Sequence, residues 1–206
     1  IGYKSINEII GRTDLLSQVN KGAPNLDDLD LNPLLVQADP GENPRFCKEK
    51  IINKVPDTLD EKIWSEIKEK INQKEKNYFE YNTENTFRSV GTRLSHYIYK
   101  KFGNNQLDED TVNIKLIGSA GQSLGAFLTK GIKLLVEGDC NDYVGKGLSG
   151  GTIVAYPSPN SKLISSENTI IGNTVLYGAT SGKLYASGQA GERFAVRNSG
   201  CLAIVE

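Results

Sequence analysis

Apolar residues recur at every fourth position in two segments of the chain, which predicts two amphipathic helices. The stripe of the first consists of Leu59, Ile63, Ile67 and Ile71, with Trp64 beside it. The stripe of the second consists of Val90, Leu94 and Ile98, and Gly103 is placed to end that helix. Between them, the alternating sequence NYFEYN predicts a short β-strand. We therefore expect residues 58–104 to form a helical segment with one short strand.

The N-terminal part of the chain carries a weaker pattern. Ser5 and Glu8 have the spacing of a capping box, so a helix is predicted to begin in SINEIIGRTDLL. Five prolines are spread over residues 20–56, and each removes a backbone donor and biases the preceding residue towards extended shapes. The prediction for residues 1–57 is an N-terminal helix followed by a Pro-rich, extended connector.

From residue 105 onwards the chain is rich in glycine and β-branched residues, and it repeats itself. The sequence from Gly118, GSAGQSLGAFLTKGIKL, matches the sequence from Gly138, GDCNDYVGKGLSGGTIV, at a constant shift of 20 residues. A third unit begins at Gly188. A fourth, around Val175, fits the same pattern if residues 157–168 form a surface insertion.

Each repeat combines short β-prone stretches with glycine corners, so residues 105–206 are predicted to form a mainly β fold, a right-handed parallel β-helix or solenoid. One inward column is expected to contain Leu124, Val144, Val175 and Phe194. A second is expected to contain Leu134, Val154, Tyr185 and Ile204. The glycines expected to have a structural role are Gly118, Gly121, Gly125, Gly131, Gly138, Gly145, Gly147, Gly150, Gly151, Gly178, Gly182, Gly188 and Gly200.

The stretch NDYVGKGLSGG offers one candidate for ligand chemistry, because Gly145, Gly147 and Gly150 spell G-x-G-x-x-G around Lys146. A dinucleotide-binding loop of this kind opens a helix, whose N-terminus holds the pyrophosphate. Here the glycines run into GTIVAYP, which predicts a strand instead. The Walker pattern of phosphate-binding loops fails as well, because Cys140 stands where its first glycine should be and Gly147 stands where its Ser/Thr should be. We predict corner geometry, not a phosphate site.

The net charge and the potentially reactive side chains argue against several classes of function. The net charge of −1 provides no basic field for nucleic acid, and no apolar run approaches the roughly 20 residues of a membrane span. Cys47, Cys140 and Cys201 lack metal-site spacing and are expected to be free thiols. His96 has no sequence-placed partner for catalysis. We therefore expect no catalytic, cofactor-binding or metal residue in this chain.

The glycine blocks GSAGQSLGAFLTKGIKLLVEGDCNDYVGKGLSGGTIVAYP and IIGNTVLYGATSGKLYASGQAGERFAVRNSG resemble the C-terminal domain of the glutamate synthase large subunit. GYKSINEIIGRTDLL is similar to the segment that leaves the family's FMN-binding synthase domain. DLDLNPLL and NTENTFRSVGTRLSHYIYKKFG are similar to its connector and helix. The resemblance thus covers nearly the whole chain. It implies a right-handed β-helix domain, which continues in the family with further coils, so Glu206 is expected to be a truncation point.

The resemblance also implies a parent enzyme. That enzyme hydrolyses glutamine, passes the ammonia to 2-oxoglutarate and reduces the product to glutamate. Its cofactors are FMN and an iron–sulfur cluster, and its electron source is ferredoxin, NADH or NADPH. None of those catalytic parts matches a residue here. The implied location is the cytoplasm or a plastid.

The leading functional hypothesis is a scaffold that packs against the amidotransferase and synthase domains of the same polypeptide. A small β subunit or a fused NAD(P)H domain is a further expected partner, whereas nucleic acid and membranes are not. Asp142, Arg193 and Arg197 are the candidate inter-domain contacts. The alternative is the β-helix subunit of another redox complex, such as the formylmethanofuran dehydrogenase C subunit. An independent enzyme is the third hypothesis, and bound flavin or glutaminase activity would reveal it.

Overall fold

The computed structural model describes residues 2–20, 22, 24–45, 47–49, 52–54, 56–73, 75–103 and 107–206. The chain divides into two compact units, Ile1–Val55 and Pro56–Glu206. Each unit is described by itself. None of the described helices is long and apolar enough to cross a membrane. The domain boundaries expected at residues 57 and 104 stay predictions.

The first unit has little regular secondary structure among its described residues. The α-helix α1, Pro24–Asp27, is accompanied by three short 3₁₀ turns at Ile6–Glu8, Thr13–Leu15 and Asn32–Leu34. The predicted N-terminal helix is therefore wrong. The Ser5 hydroxyl lies 3.3 Å from the Glu8 carboxylate and caps no backbone N–H, so the capping box does not form. Ile6 is 74% exposed, and a helix this short is not stable without a packed apolar face.

The two helices predicted in the second unit are present. Helix α2 spans Leu59–Ile67 and is followed by a 3₁₀ turn, Lys70–Gln73. Helix α3 spans Thr92–Phe102, and the N–H of Gly103 donates to the Tyr99 carbonyl, where that helix ends. The stripe residues buried in the core are Ile63, Ile67, Ile71, Val90, Leu94 and Ile98. Both apolar patterns therefore mark real buried faces.

Helix α3 is capped by a residue of helix α2. Oδ1 of Asp60 accepts from the N–H of Gly91 at 2.7 Å, and Oδ2 accepts from Arg93 at 2.8 Å and Leu94 at 3.1 Å. These groups belong to the first turn, which has no intrahelical acceptor for them. Asp60 is 2% exposed. Burial raises the pKa of its carboxyl, and the three N–H donors act in the opposite direction.

The second unit is built on parallel strands. Strands β1 to β8 span Asn77–Thr83, Val112–Gly118, Ile132–Glu137, Ser149–Tyr156, Thr169–Ile171, Ser181–Ala186, Gln189–Ala190 and Leu202–Val205. The main sheet has six strands in the order β1-β2-β3-β4-β6-β8, and β5 pairs with β7 in a second, two-stranded sheet. All these pairings are parallel. The structure thus confirms a mainly β chain, whereas a closed, right-handed coil stays a prediction.

The strand register corrects the constant repeat of 20 residues. Val112 pairs with Ile132, as a shift of 20 requires, but Leu134 pairs with Ile153 and not with Val154. The slip lies just before these strands, where Thr129 bridges to both Ser149 and Gly150. One extra residue on one strand is the mark of a β-bulge, and a slip of one residue exchanges the inward and outward faces.

Burial confirms one predicted column and corrects the other. Leu124, Val144 and Val175 are fully buried, and Phe194 packs against the core. In the second column Leu134 is buried, but its buried neighbours are Ile153 and Leu184. The residues wrongly placed inside are Val154, Tyr185 and Ile204, which pair with one another on the outer face. The expected insertion at residues 157–168 does lie between strands β4 and β5.

Candidate functional site: the stacked turns

Four turns lie one above another beside the main sheet, at residues 122–128, 142–148, 173–179 and 192–198, and are called the stacked turns below. In each case below, the N–H of the fourth residue of one turn donates to the carbonyl of the third residue of the preceding turn. Gly145 donates to the Leu124 carbonyl at 2.8 Å, Leu176 to Val144 at 2.8 Å and Ala195 to Val175 at 2.9 Å. These bonds align the buried column described above.

Each stacked turn places its second, fourth and sixth residues in the left-handed region. The twelve residues are Ser123, Gly125, Phe127, Tyr143, Gly145, Gly147, Thr174, Leu176, Gly178, Arg193, Ala195 and Arg197, with φ between 56° and 67°. Only four of them are glycine. A residue with a Cβ is disfavoured in this region by roughly 1–2 kcal/mol. The turn geometry therefore repeats more faithfully than the glycine pattern that revealed it.

The G-x-G-x-x-G stretch uses its backbone donors for stacking. The N–H groups of Gly145 and Gly147 donate to the Leu124 and Tyr177 carbonyls at 2.8 and 2.9 Å. Three further N–H groups, those of Lys146, Leu148 and Ser149, also donate to backbone carbonyls. A phosphate loop needs such groups to point at the ligand. Strand β4 follows directly, so the loop presents no helix N-terminus, and the N–H groups of its first two glycines are already used.

The thirteen glycines expected to be structural fall into two geometric classes. Ten of them have φ in the left-handed region. The other three, Gly121, Gly151 and Gly200, have ordinary φ but lie against a neighbouring segment of the chain. A Cβ on Gly121 would lie 2.5 Å from the Asn85 carbonyl oxygen, and one on Gly151 would lie 2.6 Å from the Leu128 side chain. A Cβ on Gly200 would collide with the Thr180 carbonyl oxygen.

Gly147 and Gly178 occupy the same position of two successive stacked turns but have different surroundings. A Cβ on Gly147 would lie 2.5 Å from the Phe127 ring, which covers it from the preceding turn. A Cβ on Gly178 would have no atom within 4 Å. The same position is Phe127 in the first turn and Arg197 in the last. Contact with Phe127 thus constrains Gly147, whereas Gly178 leaves bare backbone at the surface.

The three candidate contact residues have different environments. Oδ1 of Asp142 accepts from the N–H of Asn173 at 2.7 Å, and Oδ1 of Asn173 accepts from Glu192 at 2.8 Å, so both side chains bind the next turn. Asp142 therefore has a role within the stack. Arg193 and Arg197 are exposed on the last stacked turn, and no carboxylate of the described residues forms an ion pair with them.

The cysteines do not fit an iron–sulfur cluster. Cys47 is exposed, and Cys140 and Cys201 are buried in the glycine repeats. Burial raises the pKa of the Cys201 thiol to about 11 and raises that of Cys140 further, so neither is a reactive thiolate at neutral pH. Across the described residues, no group of three His, Cys, Asp or Glu side chains could hold a metal ion. His96 is exposed on helix α3.

A groove of about 450 Å³ runs over the outer face of strands β1 to β3. Two of its three lysines already face carboxylates. Nζ of Lys115 lies 2.8 Å from Glu137 and 3.5 Å from Glu80, and Nζ of Lys133 lies 3.6 Å from Asp110. The groove therefore belongs to the ion pairs that tie neighbouring strands together, and we assign it no ligand.

Comparison with known proteins shows which family has these repeats. The model of the GXGXG motif family matches residues 60–206, from the start of helix α2 to the end of the chain. The NADPH glutamate synthase large chain of Azospirillum brasilense is 60% identical over all 206 residues. The NADH glutamate synthase of Saccharomyces cerevisiae is 43% identical, and the ferredoxin-dependent glutamate synthase 2 of Synechocystis is 44% identical, again over the whole chain.

This chain spans only a small part of those relatives, 14%, 10% and 13% of their respective lengths. These three relatives are glutamate synthases, and one family model spans all the repeats and stacked turns. The chain belongs to the GXGXG motif family.

Proposed function

We propose that this chain is a scaffold domain of a glutamate synthase, a right-handed parallel β-helix with no catalytic residue of its own. One observation carries the proposal. In the glycine stretch that would be the best candidate for a ligand loop, the N–H groups of Gly145 and Gly147 donate to neighbouring turns. Its glycines therefore have a structural use, and the stack offers a rigid surface for other domains to pack on.

The parent activity belongs to the same proposal. It converts glutamine, 2-oxoglutarate and reductant into two glutamates, with FMN and an iron–sulfur cluster held by other domains. We assign neither cofactor to this chain, because no group of three His, Cys, Asp or Glu side chains in the described residues could hold a metal ion, and the Gly145 and Gly147 N–H groups donate to neighbouring turns instead of a cofactor phosphate. The amidotransferase and FMN-binding synthase domains are the proposed packing partners.

The relatives favour a role that is independent of the electron donor. Their names give NADPH, NADH and ferredoxin, and the NADH and ferredoxin types match this chain at nearly the same identity, 43% and 44%. A segment that selected the donor would be expected to diverge between these types. We therefore place donor selection outside residues 1–206.

Deletion of residues 56–206 from the full polypeptide tests the scaffold role. The deleted enzyme is expected to keep FMN and to hydrolyse glutamine, because neither site lies in this segment. It is expected to lose coupling, so that much more glutamine is hydrolysed per glutamate formed. A folded deletion protein that cannot bind FMN or hydrolyse glutamine would contradict the proposal. So would flavin absorbance or glutaminase activity in the purified 206-residue chain.

A further inference from the structure

The segment that leads into helix α3 begins like a further turn of the stack. Its sequence SVGTRL, residues 89–94, matches SLGAFL, residues 123–128, at the serine, the glycine and the last leucine. Ser89 and Gly91 have φ of 56° and 94°, in the left-handed region, as do the second and fourth residues of each stacked turn. Val90 lies between them and is buried, like the third residue of the first three stacked turns.

The backbone hydrogen bonds of this segment follow the rule of the stack. The N–H of a fourth residue donates to the third residue of the preceding turn, and Gly125 donates in this way to the Val90 carbonyl at 2.7 Å. The N–H of a second residue donates to the first residue of the following turn, and Ser89 donates in this way to Gln122 at 2.8 Å. Residues 88–91 are therefore the first half of a fifth turn, which precedes the four stacked turns.

The second half of this fifth turn is replaced by helix α3. In the first three stacked turns, the N–H of the sixth residue donates to the carbonyl of the fifth residue of the following turn. The sixth residue of the fifth turn is Arg93, and its N–H donates instead to Oδ2 of Asp60 at 2.8 Å. The carbonyl that it would reach in a complete turn, that of Ala126, accepts from the Thr92 hydroxyl at 2.8 Å. Side chains thus replace both halves of one stacking bond.

A second stacking bond is replaced where the turn would end. The residue that follows each later stacked turn donates to the seventh residue of the preceding turn, as Ser149 does to Leu128 at 3.0 Å. By this rule Thr129 would donate to the Leu94 carbonyl, but its N–H donates to the hydroxyl of Ser95 at 3.3 Å. Ser95 is buried, so this replacement lies in the core.

Asp60 also takes the place of a turn on the other side. As a fourth residue, Gly91 would donate its N–H to the third residue of a preceding turn, but Oδ1 of Asp60 accepts this N–H at 2.7 Å. Helix α2, which carries Asp60, therefore lies where a preceding turn would lie. Its residues Ile63 and Ile67 belong to one buried cluster with Val90. The exposed residues of this helix are all polar: Lys62, Ser65 and Glu66.

We propose that Asp60, Thr92 and Ser95 form an adapter, which converts the fifth turn into helix α3 and closes the stack on the side of strand β1. A helix uses its backbone N–H and carbonyl groups internally, so side chains have to make the bonds that a complete turn would make. Stacked repeats need a terminal unit with a polar outer face, because the apolar column would otherwise face water. The inference goes beyond the scaffold role and holds for any protein that contains this stack.

Replacement of the Thr92 hydroxyl tests the adapter in the full polypeptide. Thr92→Val keeps the shape of the side chain and removes the hydrogen bond to the Ala126 carbonyl. Exchange of the Gly125 amide hydrogen, which is bonded to Val90 and not to Thr92, is expected to become about tenfold faster, because the closing unit opens more often. The Gly145 amide, at the same position of the next turn, is expected to change by less than about twofold, because each repeat contacts mainly its neighbours.

Thr92→Ser, which keeps the hydroxyl, and His96→Ala, on the exposed side of the same helix, are the matched controls, and both are expected to leave the two exchange rates unchanged. Ser95→Ala removes the other adapter hydroxyl and is expected to accelerate exchange at Gly125 as Thr92→Val does. Equal acceleration at Gly125 and Gly145, or no difference between Thr92→Val and Thr92→Ser at Gly125, overturns the inference. Should Thr92→Val not fold, Ser95→Ala compared with His96→Ala decides by the same two amides.

Discussion

At Gly147 a neighbouring side chain, rather than the backbone angle alone, explains the glycine. The equivalent residues Phe127 and Arg197 adopt nearly the same φ with a full side chain, at 56° and 60°. The Phe127 ring, however, covers Gly147 and occupies the space that a Cβ would need. The sequence motif therefore reports two separate constraints, one on conformation and one on contact, which substitutions can separate.

Substitution of Gly147 by alanine is expected to lower the free energy of unfolding by about 2 kcal/mol. Roughly half of this comes from the left-handed φ and the rest from displacement of the Phe127 ring from its rotamer. In a Phe127→Ala background the same change is expected to cost only about 1 kcal/mol. Urea unfolding of the two single variants and the double variant measures this coupling.

Gly178→Ala serves as the control, because no atom lies within 4 Å of its added Cβ. Its expected cost is about 1 kcal/mol with or without Phe127. An equal cost for Gly147→Ala in both backgrounds would show that Phe127 does not constrain Gly147.

Helix α3 depends on a carboxylate from another element. Its N-cap residue, Gly91, has no side chain to accept a hydrogen bond, and Asp60 of helix α2 supplies the acceptors instead. Asp60→Ala leaves three N–H groups without this acceptor, two of them buried, and the expected cost is about 3 kcal/mol or more. Asp60→Asn retains one carbonyl oxygen and is expected to cost less.

Thermal unfolding followed by circular dichroism measures both Asp60 variants, with Asp57→Ala as the matched control. Asp57 is exposed just before helix α2, and its loss is expected to change stability by no more than about 0.5 kcal/mol. Equal destabilisation by Asp57→Ala and Asp60→Ala would refute the capping role.

The sequence predicted those elements whose periodicity is local. Helices α2 and α3, strand β1 and the insertion at residues 157–168 all follow from spacing or from a break in the repeat. The Asp60 cap was missed because its acceptors and donors lie about 31 residues apart, as Gly91 shows. The bulge at Thr129 was missed because it changes the pairing and leaves the composition unaltered.

The candidate site was predicted less completely, for a related reason. Glycine is visible in a sequence, so the corners at Gly145 and Gly147 were recognised. Left-handed φ at Thr174 or Arg193 has no compositional signal, and it emerges only when the turns are stacked. The left-handed conformation of these residues is therefore visible only in the three-dimensional arrangement of the turns.

At the scale of the whole molecule, ion pairs on the outer face join successive strands of the sheet. Nζ of Lys115 on strand β2 lies 2.8 Å from Glu137 on strand β3, and the Ser158 hydroxyl donates to the same carboxylate at 2.9 Å. Lys183 on strand β6 pairs with Glu109 at 2.7 Å. These contacts connect segments that are far apart in the chain. Protonation of their carboxylates is therefore expected to lower the stability of the sheet.

Glu137 gives this linkage a measurable sign. The hydrogen bonds from Lys115 and then Ser158 hold the pKa of its carboxyl below the ordinary value of 4.5. A carboxyl with a lowered folded-state pKa contributes stability above its unfolded pKa, and this contribution is lost as the pH falls through the folded pKa. Glu137→Gln is therefore expected to be less stable than the wild type at pH 7, and the difference is expected to shrink below about pH 4.5.

Urea midpoints measured between pH 7 and pH 3 test this, with Glu167→Gln as the control, because Glu167 is exposed and forms no ion pair with the described residues. A difference for Glu137→Gln that stays constant across this range would mean that Glu137 does not link the acid sensitivity of the sheet to its ion pairs.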